Sequence, residues 1–275
     1  MGAVAEVSGL AVQEGDFVLL DYIAIVETEE GGGKRQQVFD TTIKEEAEKA
    51  GLELARLGPT LIVVGKKEGI ILPAVEEELI GLEEGQWKTI KLPPERAFGK
   101  RDPNKIVTVS AKELSRQGVI PRVGEEISAN VRGRIIRGRV IFVGGGRVTI
   151  DTNHPFAGKN VLYKVRVVKV LKSTEERVKA LIDRWLGTLE GVEYSIENGR
   201  LIVSLPVGLL AASNLAPAVN GLARNVEEYL PEIKEVSVVF RFEFARKQEG
   251  KEGKPQQERE ETPGGIEESP RRPQP

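Results

Sequence analysis

An eleven-residue run near the middle of the chain constrains the fold more than any other feature. Residues 161–171 read VLYKVRVVKVL, in which Val161, Tyr163, Val165 and Val167 are spaced two residues apart. A period of two places these side chains on one face of a β-strand. Residues 17–27, FVLLDYIAIVE, favour a second long strand. We therefore predict a β-sheet that buries one apolar face.

The region after the first strand contains turn and helix signals. Gly31, Gly32 and Gly33 mark a turn. A helix is predicted next, with Thr41 or Thr42 as its cap. Its apolar face repeats every three or four residues, at Ile43, Ala47, Ala50, Leu54 and Leu57.

Further along, two short strands flank a second helix. Residues 61–64 and 87–92 are apolar enough for strands. Pro73 begins the helix, and Gly81 ends it. Three glutamates at 76–78 fall in its first turn, where the positive end of the helix dipole favours acids. The pattern predicts a solvated first turn for all three.

The second half of the chain changes character twice. Residues 101–152 alternate short apolar segments with glycine turns, which indicates a small β-rich unit. After residue 172 the order α-β-β-α-β is predicted, with a capping box at Ser173 and Glu176 and a hairpin turn at Asn198-Gly199. The last strand covers 235–244. Residues 246–275 are too polar to bury a core, and we expect disorder there.

Composition excludes several kinds of site. The chain has no cysteine and a single histidine, His154, so thiol chemistry, disulfides and a multi-histidine metal site are excluded. We expect no cofactor and no metal. A net charge of -2, from 40 basic and 42 acidic residues, gives no overall attraction to nucleic acid or an anionic membrane. The lack of a membrane-spanning run or a secretory segment favours the cytoplasm, and the cysteine-free, charge-rich composition hints at a thermophile.

Four ordered motifs resemble the FKBP-type peptidyl-prolyl cis/trans isomerases, in particular SlyD-like archaeal members. They are Gly15-Asp16 and Tyr22 followed by VFDTT at 38–42, ILPAVE at 71–76 with GLEEGQ at 81–86, PPERAFG at 93–99, and NHPFAGKN at 153–160. They span residues from about 9 to 172 in the family's order. The region from 174 to 245 lies beyond short SlyD proteins, and longer archaeal members carry an additional domain there.

The resemblance implies an α+β fold with an FKBP-like curved antiparallel sheet and a short helix, an inserted β-rich flap domain, and a small C-terminal α+β domain. The implied domains are 9–100 with 153–173 for the isomerase, 101–152 for an insert-in-flap domain that binds unfolded chains, and 174–245 for the C-terminal domain. The implied prolyl pocket consists of Tyr22, Phe39, Asp40, Ile71, Leu72, Val75, Phe98 and Tyr163.

Three departures from well-known relatives bear on function. Val75 stands where short FKBPs place a tryptophan, a ring that SlyD-like members also lack. Phe98 replaces a tyrosine found in many members and so has no hydroxyl to donate. Both changes argue against the family's drug affinity. The tail contains no histidine, so we expect no nickel site of the kind that often ends SlyD proteins.

An apolar pocket suits the chemistry of a prolyl bond. The planar amide is the more charge-separated state, so a cleft that excludes water favours the twisted form without a nucleophile or a metal. Asp40 is the charged member. We expect it to accept a hydrogen bond from Tyr22 and to oppose the carbonyl oxygen of the planar amide. The backbone N–H of Leu72 is the candidate donor to the substrate carbonyl.

Simpler interpretations remain for individual residues. Each pocket aromatic is also compatible with plain core packing, and Asp40 with a helix cap. His154 fits a turn, since no nucleophile elbow accompanies it. Gly144, Gly145 and Gly146 fit a hairpin turn better than a phosphate loop, because no helix follows.

Two functions compete for the whole chain. The first is an isomerase whose insert holds proline-containing unfolded or partly folded polypeptides; the second is a chaperone with little isomerase activity. A scaffold without either activity is a third class. Residues 174–245 are either an accessory domain or a module for homodimerisation or client binding, since the apolar face from Val236 to Phe244 suits a second copy.

Overall fold

The structure is a computed structural model, and it describes residues 11–30, 33–54, 57–131, 133–187, 189–242 and 244. The predicted disordered tail at 246–275 lies outside these residues. So do the first two residues of the isomerase domain implied by the resemblance, and two of the three glycines of the predicted turn at 31–33. The fold is a mixed α+β arrangement of antiparallel sheets and a few helices.

A five-stranded antiparallel sheet, here called the main sheet, forms the first unit. Its order is β2-β1-β9-β4, and β3 pairs with the start of β1. The strands are β1 (Phe17–Glu30), β2 (Gly33–Thr41), β3 (Thr60–Val63), β4 (Trp87–Leu92) and β9 (Val161–Leu171), and the helices are α1 (Lys44–Ala50) and α2 (Pro73–Glu77). The two long strands predicted from alternation pair with each other along ten residues at the centre of this sheet.

The insert, residues 101–152, forms a second sheet between β4 and β9. Its four strands run antiparallel in the order β5-β8-β7-β6, and one helix covers a face of the sheet. The elements are β5 (Ile106–Ser110), α3 (Ala111–Arg116), β6 (Glu126–Val131), β7 (Arg134–Gly144) and β8 (Arg147–Asp151). Gly145 and Gly146 both have positive φ between β7 and β8, so this segment is a hairpin turn, as predicted.

The C-terminal region, residues 174–242, follows the order α-β-β-α-β. Its elements are α4 (Thr174–Leu186), β10 (Glu193–Glu197), β11 (Arg200–Pro206), α5 (Leu215–Tyr229) and β12 (Glu235–Arg241). Ser173 and Glu176 form the capping box that the sequence indicates, and Asn198 and Gly199 make the tight turn between β10 and β11. β12 pairs parallel to β11, which the intervening α5 makes possible.

The two faces of β1 and β3 belong to different cores. Val18, Leu20 and Ile62 pack with α2 on one side of the main sheet. Phe17, Leu61 and Val63 point to the other side, where they join the core of the C-terminal region. The period-two alternation of a strand therefore serves two hydrophobic layers at once.

A buried ion pair also joins the C-terminal region to the main sheet. Arg184 on α4 lies 2.8 Å from Glu68, and their side chains are only 12% and 16% exposed. The same glutamate accepts a hydrogen bond of 3.1 Å from the Tyr229 hydroxyl, and Arg184 also donates to the Leu61 carbonyl. The loop at 65–70 is thus held by two helices of the C-terminal region.

Two predictions about the bounds of α1 were wrong. Neither Thr41 nor Thr42 caps α1, whose cap residue is Ile43; their hydroxyls instead bond to the backbone of Tyr22. The helix also ends at Gly51, so Leu54 and Leu57 lie outside it. Pairing with β1 outcompeted local capping because a buried backbone group must find a partner.

The solvated interpretation of the three glutamates was wrong for Glu76. Its side chain is buried and accepts backbone hydrogen bonds from Gly65 at 2.6 Å and from Lys67 at 3.1 Å. Glu77 and Glu78 do face solvent and pair with Lys67, Lys88 and Arg96. Glu76 therefore ties the loop at 65–67 to α2.

Candidate active site

Phe39 and Asp40 reach the site through a β-bulge. Ala24 pairs with Asp40 and Ile25 pairs with Val38, so Phe39 is the extra residue between β1 and β2. Consecutive side chains of a regular strand point to opposite faces, and a bulge breaks that rule. Here Phe39 packs against the main core while Asp40 bonds to a core tyrosine.

Tyr22 and Asp40 are joined by a hydrogen bond. The Tyr22 hydroxyl donates to Asp40 Oδ2 over 2.8 Å, the bond expected from the sequence. Burial raises the pKa of Tyr22 far above its usual range, and the bond and charge of Asp40 raise it further. Because its phenol stays protonated, Tyr22 is a fixed donor to Asp40.

Tyr163 lies beside this pair on β9, directly across from Ala24 on β1. Its ring centre is 5.8 Å from that of Tyr22. Burial, and then the negative charge of Asp40, raises the pKa of Tyr163 as well. The site therefore contains two neutral phenols beside one carboxyl group.

A wall of aromatic rings continues from Phe39. Its ring centre lies 4.7 Å from Phe156, 5.8 Å from Phe98 and 6.4 Å from Tyr163. Phe98 in turn stacks on His154 at 4.3 Å, with the ring planes 4° apart. Such contacts stabilise a fixed arrangement of rings beyond the area they bury.

The segment before α2 supplies the aliphatic part of the site. Ile71 and Val75 are buried, and Leu72 is half-buried against the same core. Leu72 is the cap residue of α2, and its carbonyl accepts from the N–H groups of Val75 and Glu76. Within the described ranges, the backbone N–H of Leu72 has no hydrogen-bond partner.

All eight predicted site residues lie together. Seven belong to one hydrophobic cluster or pack against it, and Asp40 is bonded to a member of that cluster. Asp40 does not cap α1, which begins after Ile43. The cluster also borders Ala97, a residue the sequence reasoning did not include.

Two further residues of the aromatic wall were missed. Phe156 contacts both Phe39 and Phe98, and its backbone N–H donates to His154 Nδ1 at 3.1 Å. Residues 155–158 form a turn, so the loop interpretation of His154 agrees with the structure while its stacking on Phe98 was not foreseen. The motif at 153–160 was the available signal, since it placed Phe156 two residues after His154.

No other described feature offers competing chemistry. Among the described residues, no three His, Cys, Asp or Glu side chains gather as a metal site would require. No helix in that part of the chain is both long and apolar enough to cross a membrane. A cleft of about 500 Å³ lies between the main sheet and α4, lined in part by Leu19, Leu61, Leu171 and Ala180, and it includes none of the eight site residues.

Comparison with known proteins decides the family. The chain is 31% identical over 167 residues to a short-type peptidyl-prolyl cis-trans isomerase of Methanocaldococcus jannaschii, a match that covers 60% of this chain and 98% of that protein. This chain belongs to the FKBP-type peptidyl-prolyl cis-trans isomerases. Within that family it is SlyD-like, as its similarity to other members shows.

Those other members are bacterial. An FKBP-type isomerase SlyD of Treponema pallidum is 32% identical over 116 residues, which is 42% of this chain and 65% of that protein. An FKBP-type 16 kDa isomerase of Escherichia coli is 29% identical over 113 residues, 41% of this chain and 74% of that protein. Residues 174–243 match a family model described as FKBP26_C-terminal. This FKBP-type chain thus extends beyond its short relatives.

The insert of this FKBP-type chain exposes apolar side chains. Ile120, Val123, Ile135 and Phe142 are each more than half exposed. Its own core holds other residues, among them Leu114, Val140 and Ile150. These four side chains are therefore accessible for contact with other chains.

Short links hold the insert at its base. Arg101 pairs with Asp151 at 2.7 Å, and Asn153 exchanges hydrogen bonds with the backbone of Asp102. These contacts join the two segments that enter and leave the insert. The aromatic wall begins next to them, since Phe98 and His154 flank the same segments.

Proposed function

We propose that this chain catalyses cis/trans isomerisation of the bond before proline in unfolded or partly folded polypeptides. The observation that carries the proposal is the Tyr22–Asp40 hydrogen bond beside the aromatic and aliphatic side chains of the main core. The proposed catalytic pocket consists of Tyr22, Phe39, Asp40, Ile71, Leu72, Val75, Phe98 and Tyr163. The relatives' names are consistent with this activity.

The barrier to rotation explains why such a pocket suffices. Rotation about a peptide bond costs about 18–20 kcal/mol because the C–N bond has partial double-bond character. The two isomers of an X–Pro bond differ by only about 0.5–1 kcal/mol, yet they interconvert over tens of seconds or longer. A catalyst needs only to bind the twisted amide better than the planar one. An apolar pocket does so by removing the water that stabilises the planar, charge-separated form.

Two polar groups complete the proposed mechanism. Asp40, held by Tyr22, places a negative charge at one side of the pocket and opposes the carbonyl oxygen of the planar amide. The backbone N–H of Leu72, which lacks a partner among the described residues, donates to a substrate carbonyl. Phe98 contributes packing alone, because it has no hydroxyl.

The insert is proposed to hold the client chain. Its exposed apolar residues bind an unfolded segment, and its position beside the aromatic wall raises the concentration of the client's prolines near the pocket. In this assignment residues 9–100 with 153–173 form the FKBP isomerase domain and residues 101–152 form the insert-in-flap chaperone domain.

Residues 174–245 are proposed to join two copies of the chain. β12 is the outer strand of its sheet, and Phe242 and Phe244 near its end are exposed. Val236, Val238 and Phe240 already pack in the core of their own copy, which leaves only the end of the predicted apolar face for a partner. The mass in solution of the protein and of the Phe242→Ser, Phe244→Ser variant tests this assignment.

The isomerase proposal is tested by refolding of a substrate whose slow phase is limited by proline. Asp40→Asn and Tyr22→Phe should slow the catalysed phase several-fold, because each removes the charged bond at the pocket wall. Asp183→Asn is the matched control, since Asp183 is exposed on α4 and pairs only with Lys179 among the described residues. Unchanged rates for both pocket variants would refute the role of the pair.

The second candidate is a chaperone with little isomerase activity, which the exposed apolar residues of the insert favour. Two assays separate the candidates: isomerisation of a proline tetrapeptide and suppression of aggregation. An Ile135→Ser, Phe142→Ser variant should keep tetrapeptide activity and lose protection against aggregation. Protection by the parent chain without tetrapeptide activity would establish the chaperone alternative. Absence of both activities would favour the scaffold.

A further inference from the structure

The insert carries an excess of positive charge that the net charge of the whole chain does not show. Residues 101–152 contain ten Lys and Arg against five Asp and Glu, whereas the full sequence has 40 basic and 42 acidic residues. The near-neutral net charge of the whole chain indicates no overall attraction to nucleic acid or an anionic membrane. The distribution of charge reverses that argument for the insert, because a local field depends on nearby charges and is screened over about 8–10 Å.

Strand register places part of this charge on one face of the insert sheet. Ile136 pairs with Ala129, and Val140 pairs with Ile150, and all four belong to the insert core. Since side chains alternate along a strand, Ile135, Arg137 and Arg139 of β7 lie on the opposite, outer face.

β8 adds two residues to this outer face. Thr149 stands between the core residues Val148 and Ile150, and it pairs with Phe142, so both Thr149 and Phe142 face outward. Arg147 is two residues before Thr149 and is exposed on the same face. The outer face therefore combines arginines with two exposed apolar side chains, since Ile135 is 79% and Phe142 55% exposed.

The arginines of this face are only partly neutralised. Arg137 lies 3.7 Å from Glu126, and Asp151 is engaged by Arg101 at 2.7 Å. In the part of the chain that the structure describes, no carboxylate comes within ion-pair distance of Arg139 or Arg147. In the strand register Arg139 lies opposite Glu126 and Asp151, although it forms no ion pair with either among the described residues, and Arg147 lies opposite Gly144. Both guanidinium groups are exposed on the face that carries Phe142 and Ile135.

We propose that the outer face of the insert selects unfolded polypeptide segments in which acidic and apolar residues are two positions apart, so that both lie on one side of the extended chain. The inference rests on the proposed client-holding function and names the class of client. Ile135, Arg137 and Arg139 are each two residues apart, which is about 6.8 Å along a strand. An extended client chain repeats its side chains at the same interval, so its apolar and acidic groups match this row.

Polypeptide fits this face better than nucleic acid. Glu126 and Asp151 lie on the same face, where they would repel a run of phosphates. Ile135 is an exposed aliphatic side chain that offers nothing to a phosphate or a sugar. A segment with separated carboxylates avoids the two acids and still covers the apolar residues.

The test uses the full chain and two labelled, proline-free peptides of about 15 residues. Both carry the same apolar residues, and each apolar residue is followed two positions later by Glu in one peptide and by Lys in the other. Fluorescence anisotropy should show that the Glu peptide binds at least about fivefold more tightly than the Lys peptide at low salt. Near 1 M salt, where charges are screened, the preference should fall below about twofold. Arg139→Glu, Arg147→Glu should abolish or reverse the preference. Arg224→Glu, Lys234→Glu is the matched control, because both residues are exposed in the C-terminal region and the net charge changes equally.

Each outcome decides one question. Equal binding of the two peptides, or a preference that the control pair removes as well, overturns the selectivity while the client-holding role stands. Failure to bind either peptide overturns the client-holding role itself. Tighter binding of a single-stranded oligonucleotide than of the Glu peptide would identify the face as a nucleic-acid surface and contradict the proposal. Unchanged tetrapeptide isomerisation shows that the isomerase site is intact in both double variants, and unchanged hydrogen exchange of the insert amides shows that the insert is folded.

Discussion

The insert and the C-terminal region are attached to the main sheet in different ways. The core of the insert contains only residues between Val107 and Ile150. The core of the C-terminal region includes Phe17, Leu61 and Val63 from the main sheet. A shared core couples the folding of two regions, whereas a separate core behind a short base leaves the insert free to unfold by itself. We therefore expect the chain to unfold in two cooperative parts, the insert and the rest of the chain.

The two tryptophans allow this comparison to be tested. Trp87 lies on β4 of the main sheet and Trp185 on α4 of the C-terminal region, and residues 101–152 contain no tryptophan. Replacing one tryptophan at a time by phenylalanine gives a fluorescence probe for each region. Coincident unfolding of the two probes is expected, while hydrogen exchange reports on the insert.

The largest effect is expected for Phe17→Ala. Phe17 is fully buried in the shared core and meets the Tyr229 ring edge-on at 6.1 Å. Loss of a buried phenylalanine costs about 3–5 kcal/mol. Denaturant unfolding should shift both the Trp87 and the Trp185 transitions by the same amount. A shift confined to one probe would show that the core is not shared energetically.

Leu114→Ala should destabilise the insert alone, by about 2–5 kcal/mol. Leu114 is fully buried among insert residues, and only that core loses packing. Hydrogen exchange of insert amides should accelerate strongly. The two fluorescence transitions and tetrapeptide isomerisation should stay as in the parent chain, and a change in either would contradict the independence of the insert.

Glu68→Gln tests how much the buried ion pair with Arg184 contributes to the attachment of the C-terminal region. The change leaves the largely buried Arg184 without its charged partner and weakens the acceptor for Tyr229, at a cost of about 1–3 kcal/mol. Glu228→Gln is the control on the same interface, because the Glu228 pair with Lys66 is exposed and contributes below about 1 kcal/mol. Equal effects of the two changes would show that burial of the Glu68 pair adds nothing.

Alkaline pH should destabilise the main sheet and the C-terminal region more than the insert. Because the pKa of Tyr163 is raised by burial and by Asp40, the folded chain keeps a proton that the unfolded chain releases near pH 10. The contribution of Tyr163 to the free energy of unfolding is fully present below that pH. Above it, the free energy of unfolding falls by at most about 1.4 kcal/mol per pH unit for this group. Tyr163→Phe should flatten the decline in both fluorescence probes. Tyr194→Phe, at an exposed position, should leave it unchanged.

The smallest effect is expected at the base of the insert. Arg101→Ala removes a half-exposed pair with Asp151, worth about 0–1 kcal/mol. The unfolding transitions should barely move. Energy transfer between dyes on the insert and on the C-terminal region should nevertheless show a broader distribution of distances, because the pair restrains the segments that enter and leave the insert. An unchanged distance distribution would assign the restraint to Asn153 instead.

Local signals predicted most elements well. The strands at 87–92 and 161–171 begin and end where the sequence predicts them, and the capping box at Ser173 lies where the sequence indicates. Such signals involve residues within one or two turns of each other. The strand predicted at 235–244 ends earlier, at Arg241, since β12 is paired only as far as Pro206 of β11 allows.

Distant partners explain the failures. Thr41 and Thr42 look like helix caps, yet their hydroxyls form hydrogen bonds with the backbone of Tyr22, about twenty residues earlier in the chain. Glu76 looks solvated, yet it satisfies two backbone N–H groups of a loop that precedes it. Phe156 lies inside the motif at 153–160, yet only its packing against Phe39 and Phe98 shows that it belongs to the aromatic wall.

The sequence alone determined the strands, the absence of thiol and multi-histidine chemistry, and the motifs of the family, because each depends on residue type and short spacing. The tertiary structure decided that a bulge turns Phe39 and Asp40 into the same site, that Phe17 serves the C-terminal region, and that arginines of the insert share one face with Ile135 and Phe142. These facts depend on which distant strands pair and in which register. Register assigns every side chain to a face, and no local pattern fixes it.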